Sequence, residues 1–446
     1  MQAFTTDPLL ASAHLRELSG RVLVFERALG DGPAALDPFR GQTTIGKTWR
    51  DEVLASRDFE PIRGPLVAHI DYLLERRINL EVSLEESTQL TQVSRPPRPP
   101  YAEEGTLAAR RLFALSVSAD PQRQAEARLA WRALAQDASG LSAVRVLRYE
   151  RRIEIEGRLG ARLSPLVSFE EPSQSVAALA REVLGSTKDA AGSLLGPGFA
   201  GTMEASTGYP AVEGWPARLG SDALLDLLGG RWLVRDSGLI RLELPQRLCP
   251  SSFPRAALHF GRDVFRLTVP ETLPFVLART PAETYGRTLG RLLALWLLSP
   301  ASARRRLGLG AEGRDRHARG ALRLLVAEAR LLAARALLAE AGQSSRAVLD
   351  QAWGDLASDL FGEPLGPPLG LLSAPPEATV DLVAFLWALA KDEELRTSFD
   401  DDYLDNPRAR ERILAEVHDV EPPLPAFTVL DLAARGLSER ALASGH

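Results

Sequence analysis

A chain of 446 residues, 45% of them hydrophobic and 25% charged, can bury a large core and has the composition of an ordinary globular protein. Its formal net charge is -5, from 53 basic and 58 acidic residues, so no broad field draws it to nucleic acid or to an anionic membrane. One cysteine, Cys249, excludes an intramolecular disulfide and a cysteine-rich zinc cluster. The N-terminus lacks a basic segment followed by an apolar run, and the most apolar stretch, Leu292 to Leu298, is too short to span a bilayer. A cytoplasmic location is the expectation.

Residues 1–93 form an N-terminal helical region, in which Leu9 to Leu29 and Trp49 to Leu80 carry apolar residues at helical spacing. Residues 94–101 are a Pro-rich linker or loop, because Pro96, Pro97, Pro99 and Pro100 cannot continue a helix. Helical patterning resumes in residues 102–205, with a long helix expected from Ser142 to Leu159. Residues 206–280 form a mixed region rich in Gly and Pro. There Trp232 to Arg235, a turn at Asp236-Ser237-Gly238, and Leu239 to Leu242 read as a short hairpin, giving a small β element near 231–269. The C-terminal helical region, 281–446, has its strongest signals at Glu283 to Leu298, Arg314 to Ala341, Val348 to Leu360, Thr379 to Ala390 and Pro407 to His418. Leu324, Leu331 and Leu338 recur every seven residues in the second of these, with Arg323 and Arg330 on another side, which predicts one packed face and one wet face.

Glu283-Thr284-Tyr285-Gly286-Arg287-Thr288-Leu289-Gly290 keeps the frame of a zinc-peptidase helix, His-Glu-x-Gly-His-x-Leu-Gly, without its metal chemistry. Such a helix projects two histidines four residues apart onto the metal, and a glutamate beside the first activates water. Glu283 and Arg287 occupy the two histidine positions here and Thr284 the glutamate position; a guanidinium cannot ligate zinc. The frame resembles that of the oligoendopeptidase F and thimet oligopeptidase family, on Tyr285, Gly286, Leu289 and Gly290. The segments Ala333 to Leu338, Phe399 to Tyr403 with Asn406-Pro407, and Tyr149 to Arg152 with Arg158-Leu159-Gly160 look like other parts of that family in order and spacing.

The resemblance implies a mainly α, two-lobed zincin-like body whose helical halves enclose a channel. It also implies a third ligand a little under thirty residues beyond the first histidine, where Glu312 falls, although Gly308, Gly310 and Gly313 give Glu312 the setting of a turn. The expected function is that of a catalytically inactive relative, with no cofactor or metal, binding a peptide or partner protein in the channel. Glu283, Tyr285, Arg287 and Glu312 would line a pocket for a charged chain end, Arg287 offering a planar fork to a carboxylate. The same helix also reads as a plain core helix, with Tyr285, Leu289, Leu292 and Trp296 in one stripe and Gly286 and Gly290 admitting a close neighbour. A third alternative is a metal-independent enzyme using Glu283 as acid or base.

Gly41-Gln42-Thr43-Thr44-Ile45-Gly46-Lys47-Thr48 matches the phosphate-binding loop pattern, and the chain has only two other lysines, Lys188 and Lys391. A nucleotide would use Gly41, Gly46, Lys47 and Thr48, but Pro38 and the charges of Asp37 and Arg40 stand where the preceding buried strand should be. The alternative is a polar loop capping the helix at Trp49. The histidines His14, His69, His259, His317, His418 and His446 include no pair at helical metal spacing. Asp400, Asp401 and Asp402 read as a solvated helix start, Arg304 to Arg306 as a solvated turn, and Ser251-Ser252 as an ordinary loop.

Overall fold

The computed structural model describes residues 17–18, 20–22, 24–25, 45–57, 59–93, 139–171, 173–195, 257–262, 264–265, 283–305, 308–342, 355–356, 377–400, 402–417 and 424–443. The protein is mainly α, and the described residues contain no strand. Its helices are α1 (Ile45–Ala55), α2 (Arg63–Val93), α3 (Ser139–Leu159), α4 (Val176–Ser186), α5 (Lys188–Leu195), α6 (Thr284–Leu298), α7 (Pro300–Arg305), α8 (Ala311–Gly342), α9 (Glu377–Phe399), α10 (Pro407–Val417) and α11 (Phe427–Ala443). Helical residues also lie at 17–18, 20–22, 24–25, 257–262 and 264–265. None of these helices is long and apolar enough to cross a membrane.

Buried apolar side chains gather into two main clusters. The smaller joins Leu18, Val22 and Phe25 to Trp49 and Val53 of α1, to Phe59 and Ile62, and to Leu66, Ile70, Leu73 and Ile78 of α2. The stretch expected to be one helix from Trp49 to Leu80 is therefore two. Pro61 has no backbone N–H to continue the ladder, so the chain turns through a 3₁₀ segment (Glu60–Ile62) with Phe59 fully buried at the corner. α3 packs along α2, and Gly160, at φ +65°, ends it in a conformation that costs a side-chain-bearing residue more.

The larger cluster is built around α9, where every residue from Val380 to Leu389 except Asp381 is buried. A helix apolar on all sides needs neighbours on all sides. α6, α8 and α11 supply them, while α4 packs on α8 and α11. α4 begins at Ser175, whose side chain accepts from Ala178 N, and ends at buried Thr187, whose hydroxyl donates to Val183 O at 2.5 Å. Leu163 belongs to the smaller cluster and Val167 to the larger, with Leu166 touching both. The segment after α3 is thus a seam between the two cores.

Some expectations need correction, and others, including the Pro-rich linker at 94–101 and the helical patterning at 102–138, fall outside the described residues. α8 has no continuous wet face: Arg330, placed on that face by periodicity, is 3% exposed and donates to Leu184 O and Thr187 Oγ1. With α4, α5, α9 and α11 around its second half, the helix is enclosed, and the guanidinium is accommodated by the acceptors at the α4–α5 junction. The expected β element extended to residue 269, but residues 257–265 are helical where described; the hairpin at 232–242 lies outside the described residues. So does most of Val348 to Leu360.

Candidate functional site

α6 enters the larger core through its N-terminus. Glu283, Thr284, Tyr285 and Arg287 are all buried, so four of the residues singled out by the zinc-helix frame come together. Glu283 sits at φ +50°, an uncommon conformation for a residue with a side chain, and its carboxylate pairs with Arg262 at 2.9 Å. Thr288 Oγ1 donates to Thr284 O, and Tyr285 OH donates to Glu416 Oε2 at 2.7 Å, where Lys391 Nζ also lies 2.6 Å away. Burial, with the neighbouring Glu416 carboxylate, pushes the Tyr285 phenol well above its ordinary range. Its ring meets Trp387 edge-on at 5.1 Å.

Arg287, at the second histidine position, donates through Nη1 to Asp381 Oδ1 of α9 at 2.5 Å. Arg291, one turn on, donates to Glu328 of α8 at 2.5 Å and lies 5.6 Å over the Phe385 ring. Burial alone would raise the Asp381 carboxyl, but the guanidinia of Arg287, Arg291 and Arg335 reverse that and hold it below 3.8. Burial works against charge on Arg287, and Asp381 more than offsets it. Nearby Tyr72 of α2 is pushed up to about 12 by burial, then by Glu377. These groups close a network among themselves, tying α6 to α8 and α9.

The glycines of the frame have a packing cause. The helical piece at 257–265 crosses α6 so closely that a Cβ on Gly261 would stand 2.1 Å from Gly290 N, and one on Gly290 would stand 2.5 Å from Leu258 Cα. A Cβ on Gly286 would press on Arg262 Cα at 3.1 Å. Tyr285, Leu289 and Leu292 face the core, as an apolar stripe requires. Trp296 is placed only by its backbone within α6.

Glu312 is not part of this group. It lies in the exposed first turn of α8, with a side chain 85% exposed beside Arg316 at 3.4 Å. Glu328, which does reach α6, is roughly 24 Å further along the same helix. In the phosphate-loop match, Ile45 opens α1, Lys47 and Thr48 are exposed, and Lys47 Nζ pairs with Asp51 at 3.1 Å; Gly41 lies outside the described residues. Asp402 pairs with Arg305, and Asp400, at φ +68°, closes α9 instead of opening a helix. Among the described residues, no three His, Cys, Asp or Glu side chains gather as a metal would require.

A second feature was missed by sequence reasoning. At the seam of the two cores lies a cleft of about 1270 Å³, walled by the end of α3, the segment 162–188 that runs through α4 to the start of α5, residues 330–341 of α8, Asp355-Leu356, and Thr379 of α9. Apolar walls come from Leu163, Leu166, Val167, Leu184 and Leu337. Arg152 is anchored at one side by Glu75 and by Glu156 at 3.1 Å. Glu340 accepts from Ala177 N at 3.2 Å, and desolvation raises its carboxyl pKa despite that bond and the attraction of Arg181. No motif could mark a surface assembled from five separate segments. The local hint was Glu340 itself, an acid in the apolar run from Leu331 to Ala341.

The chain matches no protein-family model and no curated protein sequence.

Proposed function

We propose that this chain is a non-catalytic binding protein that holds a peptide, or an extended segment of a partner protein, in the cleft between its two cores. The reading takes those cores as the lobes of an oligoendopeptidase-like body and the α6 frame as scaffolding. The observation that carries it is the cleft: its volume exceeds the usual range of small-molecule pockets, and it combines apolar walls with charged groups at its edges. The α6 residues support the same reading, because Glu283 and Arg287 are held by Arg262 and Asp381 in a closed network.

Selection of a random peptide library on the intact protein, followed by competition with Ser168→Trp, tests this reading. Ser168 is an exposed residue of the cleft wall, so a bulky ring there obstructs the cleft and leaves the core intact. The expected result is enrichment of peptides that bind the wild type and bind this variant at least about tenfold more weakly. Undiminished binding to Ser168→Trp would place the peptides elsewhere.

Metal-independent catalysis by Glu283 remains a second reading, favoured by one observation, the left-handed backbone at Glu283. Strain of this kind, about 1–3 kcal/mol, gathers at functional residues. Turnover of a peptide library that disappears in Glu283→Gln, with folding unchanged, is what that reading requires.

A further inference from the structure

Among the described residues, most charged side chains in the interior are ion-paired, and Arg330 is held by Leu184 O and Thr187 Oγ1. Arg287 meets Asp381, Arg291 meets Glu328, Arg262 meets Glu283, Arg152 meets Glu75, and Lys391 meets Glu416. The cleft keeps that pattern in Arg152 with Glu156, while a second set of its charges, all but Glu340 exposed, does not. Arg162, Arg181 and Lys188 line it, and none of them forms an ion pair or side-chain hydrogen bond among the described residues. Glu171 and Asp355 line it too, equally without a cation, while Glu340 holds only a backbone N–H. Three cations and three carboxylates share one cleft with no ion pair between them, although Arg181 attracts Glu340 through space.

This arrangement selects among ligands. A polyanion such as a nucleotide would satisfy the cations and be repelled by the three carboxylates, and a polycation would meet the reverse. An uncharged apolar ligand would cover the walls and leave six charged groups with only water. A chain bearing both signs, with apolar residues between them, satisfies all three demands.

We infer that the occupant of the cleft is a peptide segment carrying acidic and basic side chains together, its acids met by Arg162, Arg181 and Lys188 and its base by Glu340 with Glu171 or Asp355. The inference rests on the binding function proposed above and adds the chemistry of the ligand. Glu340 has the most to gain: its hydrogen bond is to a backbone N–H and Arg181 acts on it only from beyond ion-pair distance, so an incoming guanidinium or ammonium would supply a direct partner.

The test uses the intact chain and four fluorescent peptides of equal length and equal Leu and Ala content, whose remaining positions hold Glu with Arg, Glu alone, Arg alone, or Gln. Fluorescence anisotropy should show the mixed peptide binding about tenfold or more tightly than the other three. Arg181→Glu with Lys188→Glu should remove its advantage over the Arg-only peptide, and Glu340→Gln with Glu171→Gln its advantage over the Glu-only peptide. Both pairs should melt like the wild type, since only the partly buried Glu340 is not a surface position and Gln can keep its bond to Ala177 N. Equal affinity for all four peptides would overturn this inference and leave the binding function standing. Failure of every peptide, including those selected from the random library, would overturn both.

Discussion

The α6 network and the seam cleft contain the same kinds of side chain and use them in opposite ways. Around α6, buried Arg287 and Arg291 meet the largely enclosed Asp381, and Arg291 also meets Glu328, so the network ties three helices and offers little to a ligand. In the cleft, Arg162, Arg181 and Lys188 stand beside Glu171, Glu340 and Asp355 without pairing. A buried charge must find its partner during folding, whereas one at the edge of a cleft can wait in water for a partner from outside. Internal satisfaction of charge, more than the presence of a motif, separates the scaffold around α6 from the proposed binding surface.

The largest effect should come from breaking the network. Asp381→Ala leaves three guanidinia facing a buried void, and loss of one partner of a buried pair costs about 3–5 kcal/mol. A fall in the denaturation midpoint of that size by chemical unfolding is expected; a change below about 1 kcal/mol would show the network to be dispensable. The pH dependence follows from the same carboxylate. Because its folded pKa lies below the ordinary 3.8, its stabilisation is present above that value and lost as pH falls through the lower, folded pKa. The variant should therefore lose part of the acid-unfolding transition below pH 3.8.

A smaller loss is expected at the helix crossing. Gly290→Ala forces the 257–265 helix off α6, and overpacking of this kind costs about 1–3 kcal/mol, against about 1 kcal/mol gained in helix propensity. Gly192, with nothing within 4 Å of its would-be Cβ, is the control: Gly192→Ala should be neutral or stabilising in the same thermal melt.

The cleft should behave in the opposite sense. Charge reversal at Arg181 and Lys188 is expected to move stability by no more than about 0.5 kcal/mol while abolishing selective peptide binding. Glu340→Gln should match the wild type in acid and exceed it slightly near neutral pH. A carboxyl raised above 4.5 by folding contributes stability below that value and loses it as pH rises through the raised pKa. Smallest of all, Lys47→Ala removes one exposed pair with Asp51, worth about 0.3–0.5 kcal/mol, and magnesium-dependent nucleotide binding that vanished with it would revive the phosphate-loop reading.

Helical periodicity alone gave α3, α6, α8, α9 and α10 to within a few residues at most boundaries, because a long helix repeats its apolar spacing locally. It also marked Tyr285, Leu289 and Leu292 as a core stripe and Gly286 with Gly290 as a point of close approach. It failed where neighbours override spacing: Pro61 divided one expected helix into α1 and α2, and Arg330 is enclosed because acceptors at the α4–α5 junction receive it. Glu283, Tyr285 and Arg287 were legible as a group, but their partners Arg262, Glu416 and Asp381 lie 21, 131 and 94 positions away and leave no mark beside them.

The amino-acid sequence by itself determined a helical chain with a large apolar content, near-balanced charge and no histidine pair at helical metal spacing, since those properties reside in residue types and short spacings. Tertiary structure alone decided which charges meet. Arg287 could have faced a ligand or a carboxylate, and only the packing of α6 against α9 gave it Asp381. The same packing brought five distant segments around a cleft and left several of their charges without an ion pair, because pairing depends on distances in space that linear order does not encode.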